Sequence, residues 1–213
     1  GDVTVLPITH ASVSIRHGSD VILIDPARFV PGQPPAPKPT DEEVAQFKRA
    51  LPVVPSDGEP APATLVSAFF VRSGQLDRFS GLPAPTLILV TDIHTDHLDP
   101  RAIAALKSQS TRLVVPVAAR SRMLDVQEAE PMANGETKVI GDLTIQAIAM
   151  YNLQPDRTSG TILHVKGRGN GYILTVGGKR LYVAGDTSCT PEMMALKNID
   201  VAFLPMNVPY TMS

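Results

Sequence analysis

The sequence predicts an α/β (α+β) sandwich, and three observations predict it. Apolar or alternating runs of strand length recur along the 213 residues, they fall into an early and a late group, and helix-start signals separate several of them. Apolar residues make up 43% of the chain and charged residues 19%, which suits one well-buried domain, residues 1–213, and excludes a disordered polymer. No apolar run reaches the roughly 18 residues of a membrane span. The formal charge of −2 gives no electrostatic reason to expect nucleic acid or an anionic membrane as partner. One cysteine, Cys189, cannot form an intrachain disulfide or a multi-thiolate metal site, and is expected to be a small filler.

The early group opens with Val3 to Ile8, Val13 to Ile15 and Val21 to Ile24, which read as a meander. His17-Gly18-Ser19-Asp20 is a natural turn, so His17 is expected to be an exposed loop residue. Gly1-Asp2-Val3-Thr4-Val5 already reads as strand, which suits a cytoplasmic chain and equally an exported one after leader removal. Residues 27–85 change character. The chain carries 20 prolines in all, and Pro31-Gly32-Gln33-Pro34-Pro35-Ala36-Pro37-Lys38-Pro39 can sustain neither a helix nor a central strand. Thr40-Asp41-Glu42-Glu43 is a capping box that starts a short helix ending near Leu51-Pro52. A second loop, Val53 to Pro62, precedes an apolar stretch from Thr64 to Val71. The whole segment is expected to be a proline-rich surface insertion, serving as substrate wall, interface or spacer.

Thr86 to Val90 is a continuous apolar run, as expected of a strand buried on both faces. Asp99-Pro100 supplies a cap and a first-turn proline for a helix reaching about Lys107. Leu113 to Val117 is a further buried strand; Val139 to Ile140 and Leu143 to Ala149 flank a turn at Gly141-Asp142. Gly171 to Val176 and Lys179 to Ala184 form a hairpin across Gly177-Gly178. Pro191 to Lys197 is a short helix, and Val201 to Met206 a last, buried strand.

The chemistry concentrates in Thr91-Asp92-Ile93-His94-Thr95-Asp96-His97-Leu98-Asp99, directly after a buried strand. Asp92, His94, Asp96 and His97 are four potential metal donors within six residues. Imidazole and carboxylate are the usual donors for zinc, manganese or iron. In an extended segment alternate residues share a side, so Asp92, His94 and Asp96 are expected to converge, with His97 joining as the chain turns towards Asp99. Gly167-Arg168-Gly169-Asn170-Gly171 lacks the strand–loop–helix spacing of a phosphate loop and reads as a tight turn.

This segment resembles the metallo-β-lactamase superfamily signature, Thr-His-x-His-x-Asp-His after a strand, at Thr91, His94, Asp96 and His97. It departs at Asp92, where that family usually carries histidine. Val21-Ile22-Leu23-Ile24-Asp25-Pro26 and Val183-Ala184-Gly185-Asp186-Thr187 are similar to two further family segments. Ile8-Thr9-His10-Ala11-Ser12 and Gly169-Asn170-Gly171-Tyr172 resemble most closely the L-ascorbate-6-phosphate lactonase-like branch. The resemblance covers most of the chain outside the proline-rich segment. It implies an αββα sandwich, here expected to lack the C-terminal helix and strand that carry the family's last histidine.

For the site, the resemblance implies His94 at one metal position, Asp96 with His97 at the other, and Asp186 between them. Asp92 would add negative charge and a harder oxygen donor, favouring manganese or iron relative to zinc. The family's third-motif histidine ends the strand corresponding to Leu143 to Met150; here Tyr151-Asn152 follow, and His164 is the nearby candidate donor. His10 is expected to line the pocket or support a donor, and Asp25 to orient an imidazole. Lys166, Arg168 and Tyr210 are candidate contacts for an anionic substrate. One or two divalent cations, with Asp96 or Asp186 orienting water or taking its proton, would make the chain a metal-dependent hydrolase of a small ester, lactone or phosphate-bearing substrate. The competing reading is a degenerate member that binds a ligand without turnover.

Overall fold

A computed structural model describes residues 1–28, 76, 78–120, 128–156, 159–206 and 211–212. The expected helix at Thr40, the apolar stretch from Thr64 to Val71, most of the proline-rich segment and Tyr210 lie outside the described residues.

Two sheets form the body. The first has six strands in chain order: β1 (Val3–Thr9), β2 (Ser12–His17), β3 (Asp20–Ile24), β4 (Leu87–Leu89), β5 (Arg112–Pro116) and β6 (Ala129–Met132). β1 to β3 are antiparallel neighbours, whereas β3 to β6 run parallel. The second sheet has the order β11-β10-β9-β8-β7, built from β7 (Thr137–Ile140), β8 (Leu143–Met150), β9 (Gly169–Val176), β10 (Lys179–Val183) and β11 (Val201–Phe203). Three short helices are described: α1 (Pro100–Leu106), α2 (Val117–Arg120) and α3 (Pro191–Met194).

Strand alternation creates the layers. Ile15, Ile22, Ile24, Leu87, Leu89 and Val114 of the first sheet meet Leu143, Ile145, Ala147, Tyr172, Leu174 and Leu181 of the second in one buried cluster. The opposite faces of β3, β4 and β5 bury Leu23, Ile88, Val90, Leu113 and Val115 against Ile103 of α1. The outer face of the second sheet buries Ile148, Ile173 and Tyr182 against Met193 and Leu196, at and just after α3. Helices therefore cover both outer faces, giving the αββα sandwich. Burying one Leu or Ile side chain in such layers contributes about 1.5–3 kcal/mol.

Several boundaries differ from expectation. The last strand stops at Phe203 instead of Met206, because its partner β10 ends at Val183 and the ladder has nothing further to pair with. It is an edge strand with Val201 and Ala202 exposed, not a buried one. The fourth and fifth strands shift as well: pairing covers only Leu87–Leu89, and Val117 leaves the fifth strand to open α2. The helix from Pro191 closes at Met194, three residues before Lys197, and Asn198 follows in a left-handed conformation with φ 55°. Cys189 is exposed, its thiol against Met194 Sδ, so it fills no core space.

Candidate metal centre

The site is built at the ends of β3, β4, β8 and β10, where the strands stop and their side chains leave the core. Asp25, just past β3, takes a left-handed backbone with φ 45° and is fully enclosed. Its carboxylate accepts from Thr91 N at 2.7 Å, from Thr91 Oγ1 at 2.5 Å and from His97 Nδ1 at 2.8 Å. These bonds fasten the loop after β4 to the end of β3. Asn170 N donates to Thr91 O at 2.8 Å, which fastens the same loop to β9 of the other sheet. Below it, packing leaves no room for side chains: a Cβ at Gly169 would lie 2.8 Å from Thr91 O and 2.2 Å from the tip of Met150. Gly185, with φ 64°, turns the chain out of β10 towards Asp186 through an equally tight gap beside Thr91 and Met150.

The donor-rich segment curls instead of running extended. His97 N and Leu98 N both donate to His94 O, at 3.0 and 2.7 Å. That turn overrides strand alternation, so Asp92, His94 and Asp96 do not gather on one side as expected. They divide into two groups, each with donor atoms within 4.8 Å of one another: Asp92, His94 and His164, and His10, Asp96 and His97. Asp99 fixes the far end of the turn. Its carboxylate caps α1 through Arg101 N and Ala102 N, both at 3.1 Å, and accepts Arg28 Nε and Nη2 at 2.7 and 2.9 Å.

In the first group the Asp92 carboxylate touches His94 Nδ1 and lies 3.6 Å from His164 Nε2. In the second, Asp96 Oδ2 lies 3.0 Å from His10 Nε2 and 3.8 Å from His97 Nε2. Asp186 stands between: its Oδ2 is 3.3 Å from His97 Nε2 and 3.6 Å from His164 Nε2. Asp92, His97 and His164 are buried, His94 and Asp186 half-buried. Both Asp92 carboxylate oxygens and His97 Nε2 are buried without a hydrogen-bond partner. A buried carboxylate is costly unless opposite charge meets it, and here the His94 and His164 imidazoles do so only with poor hydrogen-bond geometry.

The charges are strongly coupled. Burial alone would raise the Asp92 carboxyl, but His94, His164 and His97 overcome it and hold the group well below the usual carboxylate range. Burial likewise opposes ionisation of Asp96, yet His97 and His10 bring it down to about 2. Burial pushes the His97 imidazole towards neutrality, and Asp186, Asp96 and Asp25 outweigh it, leaving the ring well above its ordinary value. For His164 burial prevails and takes the ring down to about 4, despite Asp92 and Asp186.

Asn152 is the residue that sequence reasoning missed; it stood there only as a departure from histidine. Its Oδ1 accepts from His164 N at 3.0 Å and from the ring Nδ1 at 2.8 Å, and its own N–H donates to His164 O at 2.8 Å. An amide oxygen only accepts, so His164 carries its proton on Nδ1 and presents the Nε2 lone pair to Asp92 and Asp186. No spacing rule signals this pair, since loop closure alone brings together residues twelve apart. Of the candidate anion contacts, Lys166 pairs with Glu192 at 2.5 Å over the Tyr151 ring, and Arg168 Nη2 lies 3.4 Å from His94 Nε2 and also donates to Leu163 O.

A sandwich whose strand ends carry such paired His/Asp groups agrees with the sequence comparison: the profile of a β-lactamase superfamily domain matches residues 60–211. The chain belongs to this superfamily. A UPF0173 metal-dependent hydrolase of Symbiobacterium thermophilum is 28% identical over 167 residues, 68% of this chain and 70% of that protein. One from Methanoculleus marisnigri is 33% identical over 159 residues, 70% of this chain and 63% of that protein. Among solved structures, a putative metal-dependent hydrolase from Parabacteroides distasonis aligns with a TM-score of 0.69 and 29% identity, covering 99% of this chain and 73% of that one. Igni18, a metallo hydrolase from Ignicoccus hospitalis, shares the fold with a TM-score of 0.61 at 16% identity, covering 98% and 72%. The superfamily expectation thus holds, while none of these comparisons points to the ascorbate-6-phosphate lactonase-like branch.

Proposed function

We propose that this superfamily member is a metal-dependent hydrolase acting on a small ester, lactone or phosphate-bearing molecule. The carrying observation is two clusters of His and Asp donors, each within 4.8 Å, in which the buried Asp92 carboxylate and His97 Nε2 make ion-pair contacts but no well-formed hydrogen bond. Carboxylate oxygens and imidazole nitrogens gathered this closely suit divalent cations. Asp92, His94 and His164 are the donors we assign to one position and Asp96 with His97 to the other, with Asp186 shared. Bound zinc, manganese or iron would supply Lewis acidity, lowering the pKa of water from about 15.7 towards neutrality and polarising a carbonyl or phosphoryl oxygen.

The chain's own residues have separable tasks in this reading. Asp25 and Asn152 hold the Nδ1 protons of His97 and His164, so both rings offer Nε2 to the centre. Asp186 and Asp96, partly accessible and held in the ionised form by the neighbouring histidines, orient the attacking water and accept its proton. Arg168, beside His94, favours an anionic substrate. The relatives named as metal-dependent hydrolases support the reaction type.

The test is metal content measured together with turnover on a panel of lactones, simple esters and phosphodiesters. Hydrolysis that chelation abolishes and metal restores is expected. Metal-loaded protein that binds one of these compounds tightly without turnover would overturn the hydrolase reading in favour of a binding role.

A further inference from the structure

His10 stands at the tip of the β1–β2 connection, outside the donor-rich segment, and its backbone is left-handed with φ 43°. His10-Ala11 is the two-residue connection of an antiparallel hairpin, a place that favours positive φ, and histidine tolerates that conformation better than most residues with a Cβ. The register of β1 against β2 also breaks between Pro7 and Thr9, immediately before this tip. Ser12 Oγ then pins the start of β2 by donating to Asp25 O at 2.6 Å. Together these features swing the imidazole over the site, where its ring meets His97 edge to face at 5.8 Å.

We infer that His10 is a direct cation donor, forming with Asp96 and His97 one position of the centre. The inference rests on the metal-centre reading above and adds a donor to it. Successive donor separations are 3.0 Å from His10 Nε2 to Asp96 Oδ2, 3.8 Å on to His97 Nε2 and 3.3 Å on to Asp186 Oδ2. Donors about 2.0–2.1 Å from one tetrahedral cation stand about 3.3 Å apart, and the His10, Asp96 and His97 donor atoms, all within 4.8 Å of one another, lie near that spacing, with Asp186 Oδ2 beside His97 but outside the trio. His97 Nε2 is buried among them with these ion-pair contacts but no well-formed hydrogen bond, its other nitrogen being held by Asp25. A lone hydrogen bond to Asp96, on a side chain with 23% exposure, competes with water and holds the ring only weakly. Ligation to a shared cation would hold it firmly.

Zinc titration of the full chain, followed by nitrogen-15 NMR of the histidine rings, reads ligation without recourse to activity. Zinc is expected to shift the Nε2 resonances of His10 and His97 together to metal-bound values. In His10→Asn, whose side chain suits the left-handed backbone, one zinc equivalent should weaken at least about tenfold while the other is retained. His10→Gly should regain that equivalent in the presence of free imidazole. A His97 resonance that moves while His10 stays fixed would overturn the inference and leave His10 as a hydrogen-bonding neighbour of Asp96. Zinc that shifts no ring at all would overturn the metal-centre reading itself.

Discussion

The two donor groups grow from one six-residue turn, yet their electrostatics are opposed. Behind His97 stands a carboxylate, Asp25; behind His164 stands a neutral amide, Asn152. The carboxylate helps hold a proton on His97, whereas burial against the amide leaves His164 neutral. An arriving cation must displace a proton from the first ring but finds the second already free. Similar donor sets on the two sides therefore bind with different proton linkage, set by the carboxylates of Asp186, Asp96 and Asp25 around His97 and by burial at His164.

Asp186, the element the two groups share, should give the largest effect. Asp186→Ala is expected to weaken both metal equivalents and to reduce turnover by about 10²–10⁴-fold, checked by metal analysis and steady-state kinetics. If only one equivalent is lost, Asp186 serves one position. Asp25→Ala should come next, because it strands Thr91 N in the interior and leaves Thr91 Oγ1 and His97 Nδ1 only each other, at 3.1 Å. At about 1–3 kcal/mol for a stranded group, a loss on the order of 3 kcal/mol is expected in urea unfolding, with the cation at His97 weakened selectively.

Asn152→Ala sharpens the contrast from the other side. The cation held with His164 should weaken about 10–100-fold while the one held with His97 is unchanged, as isothermal titration would resolve.

The pH dependence should separate the rings in metal-free protein. His97 binds its proton more tightly folded than unfolded, so its contribution to stability is full below about 6.5 and is lost as pH rises through the higher folded value. His164 behaves conversely: its contribution is full above about 6.5 and is lost as pH falls towards about 4. Ring titrations by NMR that move in the same direction would break the comparison. Lys166→Ala should have the smallest effect, because the ammonium is exposed and engaged with Glu192. It is expected to leave metal content and kcat intact and to raise KM for anionic substrates alone.

Local chemistry was legible where one short segment decides the outcome. Asp99-Pro100 announced α1 because the capping carboxylate reaches N–H groups only two and three residues ahead. Gly177-Gly178 announced the β9–β10 hairpin because both residues take positive φ, 57° and 75°. The extent of the last strand was not legible, since Leu204 and Met206 are apolar but project into solvent beyond the end of the ladder. Alternation also misled within the site. Hydrogen bonds to His94 O curl the segment and send Asp92 and Asp96 to different groups, a choice that residue type does not encode.

By itself the sequence determined the two strand families, the helix caps and the presence of a dense His/Asp turn after a buried strand, because periodicity, caps and turn residues act over a few positions. Tertiary structure decided which donors belong together, that Asn152 holds His164, and that His10 crosses to Asp96, 86 positions away. Those pairings arise where strands from different parts of the chain end side by side, and the packing that aligns their ends, not local residue preference, sets the distances between their side chains.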